Sequence, residues 1–208
     1  LKKFLNTKNK WVFCLIMTGI FLAFYTACGA LGAQYGSQLP LLPYEESIPF
    51  IKDSVIIYIV LYPIYLIWVL LELKDETQMN RMFYAFIFIN LVSFIAFSAF
   101  PTIYPRYRFI LPPDNDLTTL IFRGLHKVDA PSNCLPSLHV ALVFLFAQTM
   151  KGRGWKYVVS IFISILISIS TLTTKQHYVY DIVAGATLSL ACWYYIEKYV
   201  VFSLPKRK

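Results

Sequence analysis

The sequence predicts an all-α, polytopic membrane protein: a six-transmembrane-helix bundle with a short helical and looped segment outside the membrane, over a candidate active site. Three observations predict it. The 208 residues are 58% hydrophobic and 14% charged, with mean hydropathy +0.59, which is more apolar surface than a soluble domain of this length can bury. Apolar runs near the length of a membrane span recur along the chain. Basic residues concentrate in alternate connections between those runs.

A hydrocarbon core about 30 Å thick takes about 20 residues of helix to cross. Trp11–Ala33, Ser54–Leu73 and Met82–Phe100 come near that length, and Leu138–Met150, Tyr157–Leu172 and Ile182–Phe202 follow. The fourth and fifth runs are short and border polar clusters, so their ends are expected to be buried in protein or to line a wet pocket. The first run resembles a secretory signal in having Lys2, Lys3, Lys8 and Lys10 before it and small residues after it. It is read as an uncleaved anchor, because 23 residues is long for a signal core and because six spans give a consistent charge pattern. With no repeat and no low-complexity linker, residues 1–208 read as one domain.

Six spans put both termini, the second-to-third connection and "KGRGWK" on one side, which then holds thirteen basic and four acidic residues. The other side holds six and seven. The positive-inside rule makes the first side cytoplasmic, leaving loops 34–53, 101–136 and 173–177 on the periplasmic or outer face. The compactness of the chain favours a bacterial inner membrane. The formal charge of +8 is therefore a topology signal, and no nucleic-acid partner is expected. Cys14, Cys28, Cys134 and Cys192 show no CxxC spacing and read as small buried apolar residues, with neither a zinc site nor a disulfide framework.

An ionisable residue within a span costs about 2.5–3.5 kcal/mol on insertion scales, so each is a functional candidate. Ser137 and His139 open the fourth span in "NCLPSLHVALVFLF", and Lys175, His177 and Asp181 open the sixth in "TTKQHYVYDIVAGA". His177 and Asp181, four apart, share a helix face, so the carboxylate can hold one ring nitrogen and leave the other free to attack. Between the two histidines lie one descent, a tight turn and one return, which brings both to the same end of an antiparallel pair. In "FPTIYPRYRFILPP" the prolines break the chain after the third span and present Arg106 and Arg108. Cations, a helix N-terminus, two histidines and a carboxylate are what a phosphate site needs: groups to hold oxyanions, a nucleophile, its orienter and an acid. Ser137 doubles as an N-cap for the fourth span. "LTTLIFRGLHKV" reads as a short helix whose His126 lies on the surface or a pocket rim, and "GSQLPLLPYEESIPFIKDS" as a lid over the site.

With "PSLH" and "HYVYD" in place, the region from about residue 100 to 190 resembles the type 2 phosphatidic acid phosphatase superfamily, whose pattern is KxxxxxxRP, PSGH and SRxxxxxHxxxD. The resemblance implies that His177 attacks phosphorus to give a phosphohistidine, that Asp181 orients it, and that His139 protonates the leaving alcohol. It also implies that Ser137 and the backbone N–H groups of Leu138 and His139 hold the phosphate. Leu138 replaces the motif glycine, and Ser170–Thr171 replaces the SR pair, with Lys175 the nearest substitute cation. Lys74 to Arg81 matches the first motif by spacing only and falls on the cytoplasmic side, so Arg106 after Pro105 is the better counterpart. These departures are closer to the branch that includes inositol phosphorylceramide and sphingomyelin synthases. The expected activity is metal-independent, cofactor-free hydrolysis of a lipid phosphomonoester or diphosphate at the outer leaflet. The alternative is transfer of a phospho-headgroup to a diacylglycerol- or ceramide-like alcohol. The partners are then a lipid phosphate substrate and membrane lipids.

Overall fold

The computed structural model describes residues 4–106, 111, 113 and 115–200. Among these residues seven α-helices follow one another: α1 (Lys10–Tyr35), α2 (Tyr62–Glu72), α3 (Glu76–Ala99), α4 (Leu117–Val128), α5 (Leu138–Thr149), α6 (Trp155–Thr173) and α7 (Val179–Tyr199). A 3-10 turn at Lys52–Ser54 and a π-helical turn at Ile57–Leu61 lead into α2. Among the described residues five helical stretches are long and apolar enough to cross a membrane: Lys10–Tyr35, Lys52–Glu72, Glu76–Ala99, Trp155–Thr173 and Val179–Tyr199.

The fourth predicted span, α5, is the exception and the centre of the bundle. Its 12 residues rise about 18 Å, short of the bilayer core. Ten of them are buried, and the helix packs against α2, α3, α6 and α7. Lipid does not surround it, so its length is not set by the bilayer. The fifth run is not short: α6 covers 19 residues and extends past both ends of Tyr157–Leu172. The hydroxyls that shorten the apolar run point inward. Ser164 Oγ donates to the Val143 carbonyl (2.9 Å), and Ser168 and Thr171 return theirs to carbonyls one turn back, while Val158, Phe162, Ile165 and Ile169 face outward.

The start of α3 also differs from the apolar run. Asp75 caps it, accepting from Gln78 N at 2.7 Å, so the helix begins six residues before Met82. Hydropathy marks where lipid can lie, whereas the cap marks where the helix starts. α4 spans the twelve residues read from the sequence, with Asp116 as its N-cap.

The two ends of the bundle differ in chemistry. At one, Lys10 Nζ donates to the Leu70 and Leu73 carbonyls that end α2, Lys156 pairs with Glu72 at 2.5 Å, and Arg81 reaches the Glu197 carbonyl. The spacing match between Lys74 and Arg81 therefore lies at this basic end, and the histidines lie at the other. There the connecting loops are stitched together by a two-residue parallel pair, β1 (Ser37–Gln38) with β2 (Thr102–Ile103), and by a bridge from Ile103 to Ser132.

Candidate active site

The site forms where the N-termini of α5 and α7 meet. Ser137 caps α5, its Oγ accepting from Val140 N at 3.4 Å, and is fully buried. The N–H groups of Leu138 and His139 sit in the first turn, where no carbonyl lies four residues back inside the helix to receive them. The backbone N–H of Ser137 donates to the Asp181 carbonyl at 3.0 Å, which fixes one helix start against the other. Gly185, one turn further along α7, permits this approach: a Cβ there would stand 2.5 Å from the Ser137 carbonyl oxygen.

His177 precedes α7 and is 5% exposed. Asp181 Oδ2 accepts from His177 Nδ1 at 3.1 Å and from Tyr178 N at 2.8 Å, so one carboxylate oxygen both caps the helix and holds the imidazole. With its proton fixed on Nδ1, His177 keeps a lone pair on Nε2. Oδ1 of Asp181 is buried with no hydrogen-bond partner among the described residues. The ring of His139 lies 6.1 Å from that of His177, centroid to centroid, and is inclined to it by 61°. The two histidines read from the sequence thus share one small space.

Arg106 follows β2, and its guanidinium grips Asp129. Nη1 donates to the Asp129 carbonyl at 2.7 Å and Nη2 pairs with its carboxylate at 3.0 Å, while Nε is buried without a partner among the described residues. Asp129 also accepts from Tyr25 Oη at 3.0 Å, and both Arg106 and Asp129 lie within electrostatic reach of His139. Lys175 is placed differently. At a left-handed φ of 55°, it sends Nζ to the Ile48 carbonyl at 2.6 Å, on the 34–53 loop. Burial lowers its pKa from the ordinary lysine value, partly offset by the Glu45 carboxylate. Arg108 lies outside the described residues. His126 is exposed on α4, where it packs edge-on against Phe122.

Three contributors had no signal in the sequence. Glu45, 3% exposed, accepts from Val179 N with Oε1 and from Leu42 N with Oε2, at 2.8 and 2.7 Å, and so caps α7 from the 34–53 loop. Further ties of that loop run from Leu39 N to Tyr178 Oη and from Ile51 N to the Thr173 carbonyl. Asp129 is the second, as the partner of Arg106. Tyr58 is the third, its hydroxyl 3.3 Å from His139 Nδ1. Cys134, beside the site, is buried, and its thiol is pushed up and kept protonated.

An apolar groove of about 950 Å³ opens beside the site, between the loop and α7. Leu39, Leu42, Leu135, Val179, Val183 and Leu188 are among its walls. Leu135 lies two residues before Ser137, and Val179 two after His177, so the groove begins where the polar cluster ends.

A model of the PAP2 superfamily matches residues 53–195, from the turn before α2 to the last turns of α7. The chain belongs to the PAP2 superfamily. That membership makes it an enzyme of the phosphatase and phosphotransferase class, set in a bundle of apolar helices that fits a membrane. The matched segment contains every sequence-derived site residue and leaves α1 outside it. No curated protein and no solved structure gave a significant match.

Proposed function

We infer that this PAP2 superfamily member hydrolyses a lipid phosphomonoester or diphosphate at the outer leaflet, through a phosphohistidine on His177. The observation that carries the reading is the pairing of two histidines 6.1 Å apart, one of them held by a carboxylate at 3.1 Å. In the first step the Nε2 lone pair of His177 attacks phosphorus, the bond to the lipid oxygen breaks, and His139 gives that oxygen a proton. In the second, His139 takes a proton from water, the water oxygen bonds to phosphorus, and the phosphorus–nitrogen bond breaks. Ser137, the N–H groups of Leu138 and His139 and the guanidinium of Arg106 hold the phosphate oxygens. Arg106 Nε is the donor of that group with no partner among the described residues. The groove beside Leu135 and Val179 suits the lipid's apolar chain.

The basic end faces the cytoplasm in this reading and the histidine end the periplasm or exterior, as the positive-inside rule directs. Lys175 acts first on the loop that covers α7, and serves the phosphate only by leaving Ile48. Residues 1–208 form one catalytic domain with no metal in the reaction.

A second reading, transfer of a phospho-headgroup to a diacylglycerol- or ceramide-like alcohol, is favoured by Leu138 in place of the motif glycine and Thr171 in place of the motif arginine. The steps are the same with a lipid hydroxyl in place of water. A panel of lipid phosphates and phospholipids, assayed with chelator and with or without an added lipid alcohol, tests both. Free phosphate alone marks hydrolysis and a new phospholipid marks transfer. Loss of all turnover on adding chelator contradicts the metal-free mechanism.

A further inference from the structure

The two histidines of the site have different partners. His177 Nδ1 is held by a carboxylate, whereas His139 Nδ1 faces the phenol hydroxyl of Tyr58 at 3.3 Å. Tyr58 is 1% exposed, and His139 Nδ1 is the acceptor within reach of its hydroxyl among the described residues. A buried hydroxyl needs an acceptor, so in the resting site Tyr58 donates to Nδ1 and the proton of neutral His139 sits on Nε2.

The backbone is arranged for this contact. Tyr58 lies on the π-helical turn Ile57–Leu61, and Pro63, at the start of α2, has no N–H to return to the carbonyl of Ile59. The wider turn absorbs that missing bond and brings two rings onto His139: Tyr58 at 4.6 Å and Tyr62 at 5.0 Å between centroids. Single π-turns inside helices are found often at functional sites.

We propose that Tyr58 is the positioning residue of the acid–base histidine: its hydroxyl holds the His139 ring with Nε2 toward the leaving oxygen and serves Nδ1 as donor or acceptor according to the charge on the ring. The inference rests on the acid–base role of His139 given above. When His139 is an imidazolium, Nδ1–H donates to Tyr58 Oη. Nε2–H passes to the leaving oxygen as its bond to phosphorus breaks, and the neutral ring then takes the proton of the incoming water on Nε2. A carboxylate in this position could only accept, and its charge would hold the imidazolium in place of releasing the proton. A phenol orients the ring without adding charge. The difference in partners therefore matches the difference in roles: the nucleophile has the anion and the acid has the neutral hydroxyl.

The test compares two substrates with the same tail, a long-chain alkyl phosphate and a nitrophenyl phosphate carrying that chain, because only the alkyl leaving group needs a proton. General acid catalysis is worth about 10²–10⁴-fold, and Tyr58→Phe is expected to lower kcat/KM on the alkyl ester by about tenfold while leaving the nitrophenyl ester unchanged. His139→Ala should show the same selectivity, more strongly. Equal loss on both esters, or loss on neither, in Tyr58→Phe overturns the proposal while a selective His139→Ala keeps the wider reading. An unselective His139→Ala overturns both. A second measurement needs no variant at Tyr58. In ¹⁵N-histidine spectra of the wild-type chain, with His139 neutral and its signals identified by their loss in His139→Ala, the ring proton should be on Nε2, and a proton on Nδ1 contradicts the proposal.

Discussion

The N–H of Ser137 donates to the carbonyl of Asp181 across 3.0 Å, so the residue that caps α5 is bonded to the residue that orients the histidine before α7. Two helix starts are thus joined by residues 44 positions apart in the chain, 137 and 181, at the point where the proposed mechanism needs a phosphate. Helix N-termini attract anions through free N–H groups and the positive end of the helix dipole, and here two of them converge.

Gly185 keeps that bond short. In Gly185→Ala the new Cβ would lie 2.5 Å from the Ser137 carbonyl oxygen and 3.3 Å from Ala141 N, both of them backbone. Overpacking of this kind costs about 1–3 kcal/mol, so the variant should melt lower in detergent and lose activity as α5 and α7 separate. Unchanged melting and turnover would show that the helices have room to spare.

Asp181→Asn tests the orienting carboxylate. Oδ2 serves both Tyr178 N and His177 Nδ1, so an amide oxygen in its place keeps the helix cap and the orientation of the ring but removes the negative charge that supports the imidazole as its Nε2 bonds to phosphorus and the ring turns cationic. Because one preorganised electrostatic partner of a reacting group is worth about 10²–10³-fold, kcat should fall by that order with little change in KM or melting. Activity within a few-fold of wild type contradicts the role.

Glu45 secures the 34–53 loop to α7 through Val179 N. Loss of a helix cap costs about 0.5–2 kcal/mol, and in Glu45→Ala that loss should free the loop. Limited chymotrypsin digestion, read by cleavage after the exposed Tyr44, should accelerate several-fold, whereas cleavage at the wild-type rate would mean that Lys175 and Ile51 hold the loop unaided.

Arg106 is bound to Asp129 by two of its nitrogens and has a third buried without a partner among the described residues. Removing a hydrogen bond to a charged group costs about 1.5–3 kcal/mol, so Arg106→Ala should raise KM for a lipid phosphate about tenfold or more. Pairing it with Asp129→Ala separates the roles. If Arg106 only neutralises Asp129, the double variant regains wild-type KM, and if it binds phosphate KM stays high.

Much of the architecture could be read from the chain because it depends on near neighbours. Apolar runs located the spans, the Asp116-capped α4 appeared at its full twelve residues, and His177 and Asp181 form the expected bond, although His177 lies before the N-cap of α7 and not on its helical face. The central position of α5 followed less directly, from a run too short for lipid and bordered by polar residues. What could not be read depends on distant packing. Tyr58 meets His139 across 81 positions, Glu45 meets Val179 across 134, and Asp129 takes the arginine intended for phosphate across 23. Lys175 shows the same limit, since its nearness to His177 in sequence says nothing of a left-handed backbone that sends its ammonium to Ile48. The 19-residue α6 was underestimated because inward serines lower hydropathy without ending a helix.

The role of His177 as nucleophile is tested most directly by trapping the intermediate. The chain is mixed with a lipid phosphate labelled at phosphorus, quenched in alkali, and the modified peptide is mapped. The expected result is label on His177, lost in acid as a phosphoramidate is, missing from His177→Ala, and enriched in His139→Ala when the donor is the nitrophenyl ester, whose departure needs no proton while hydrolysis of the intermediate still lacks its base. Turnover by the wild-type chain with no label on His177, or full turnover by a folded His177→Ala, would contradict it.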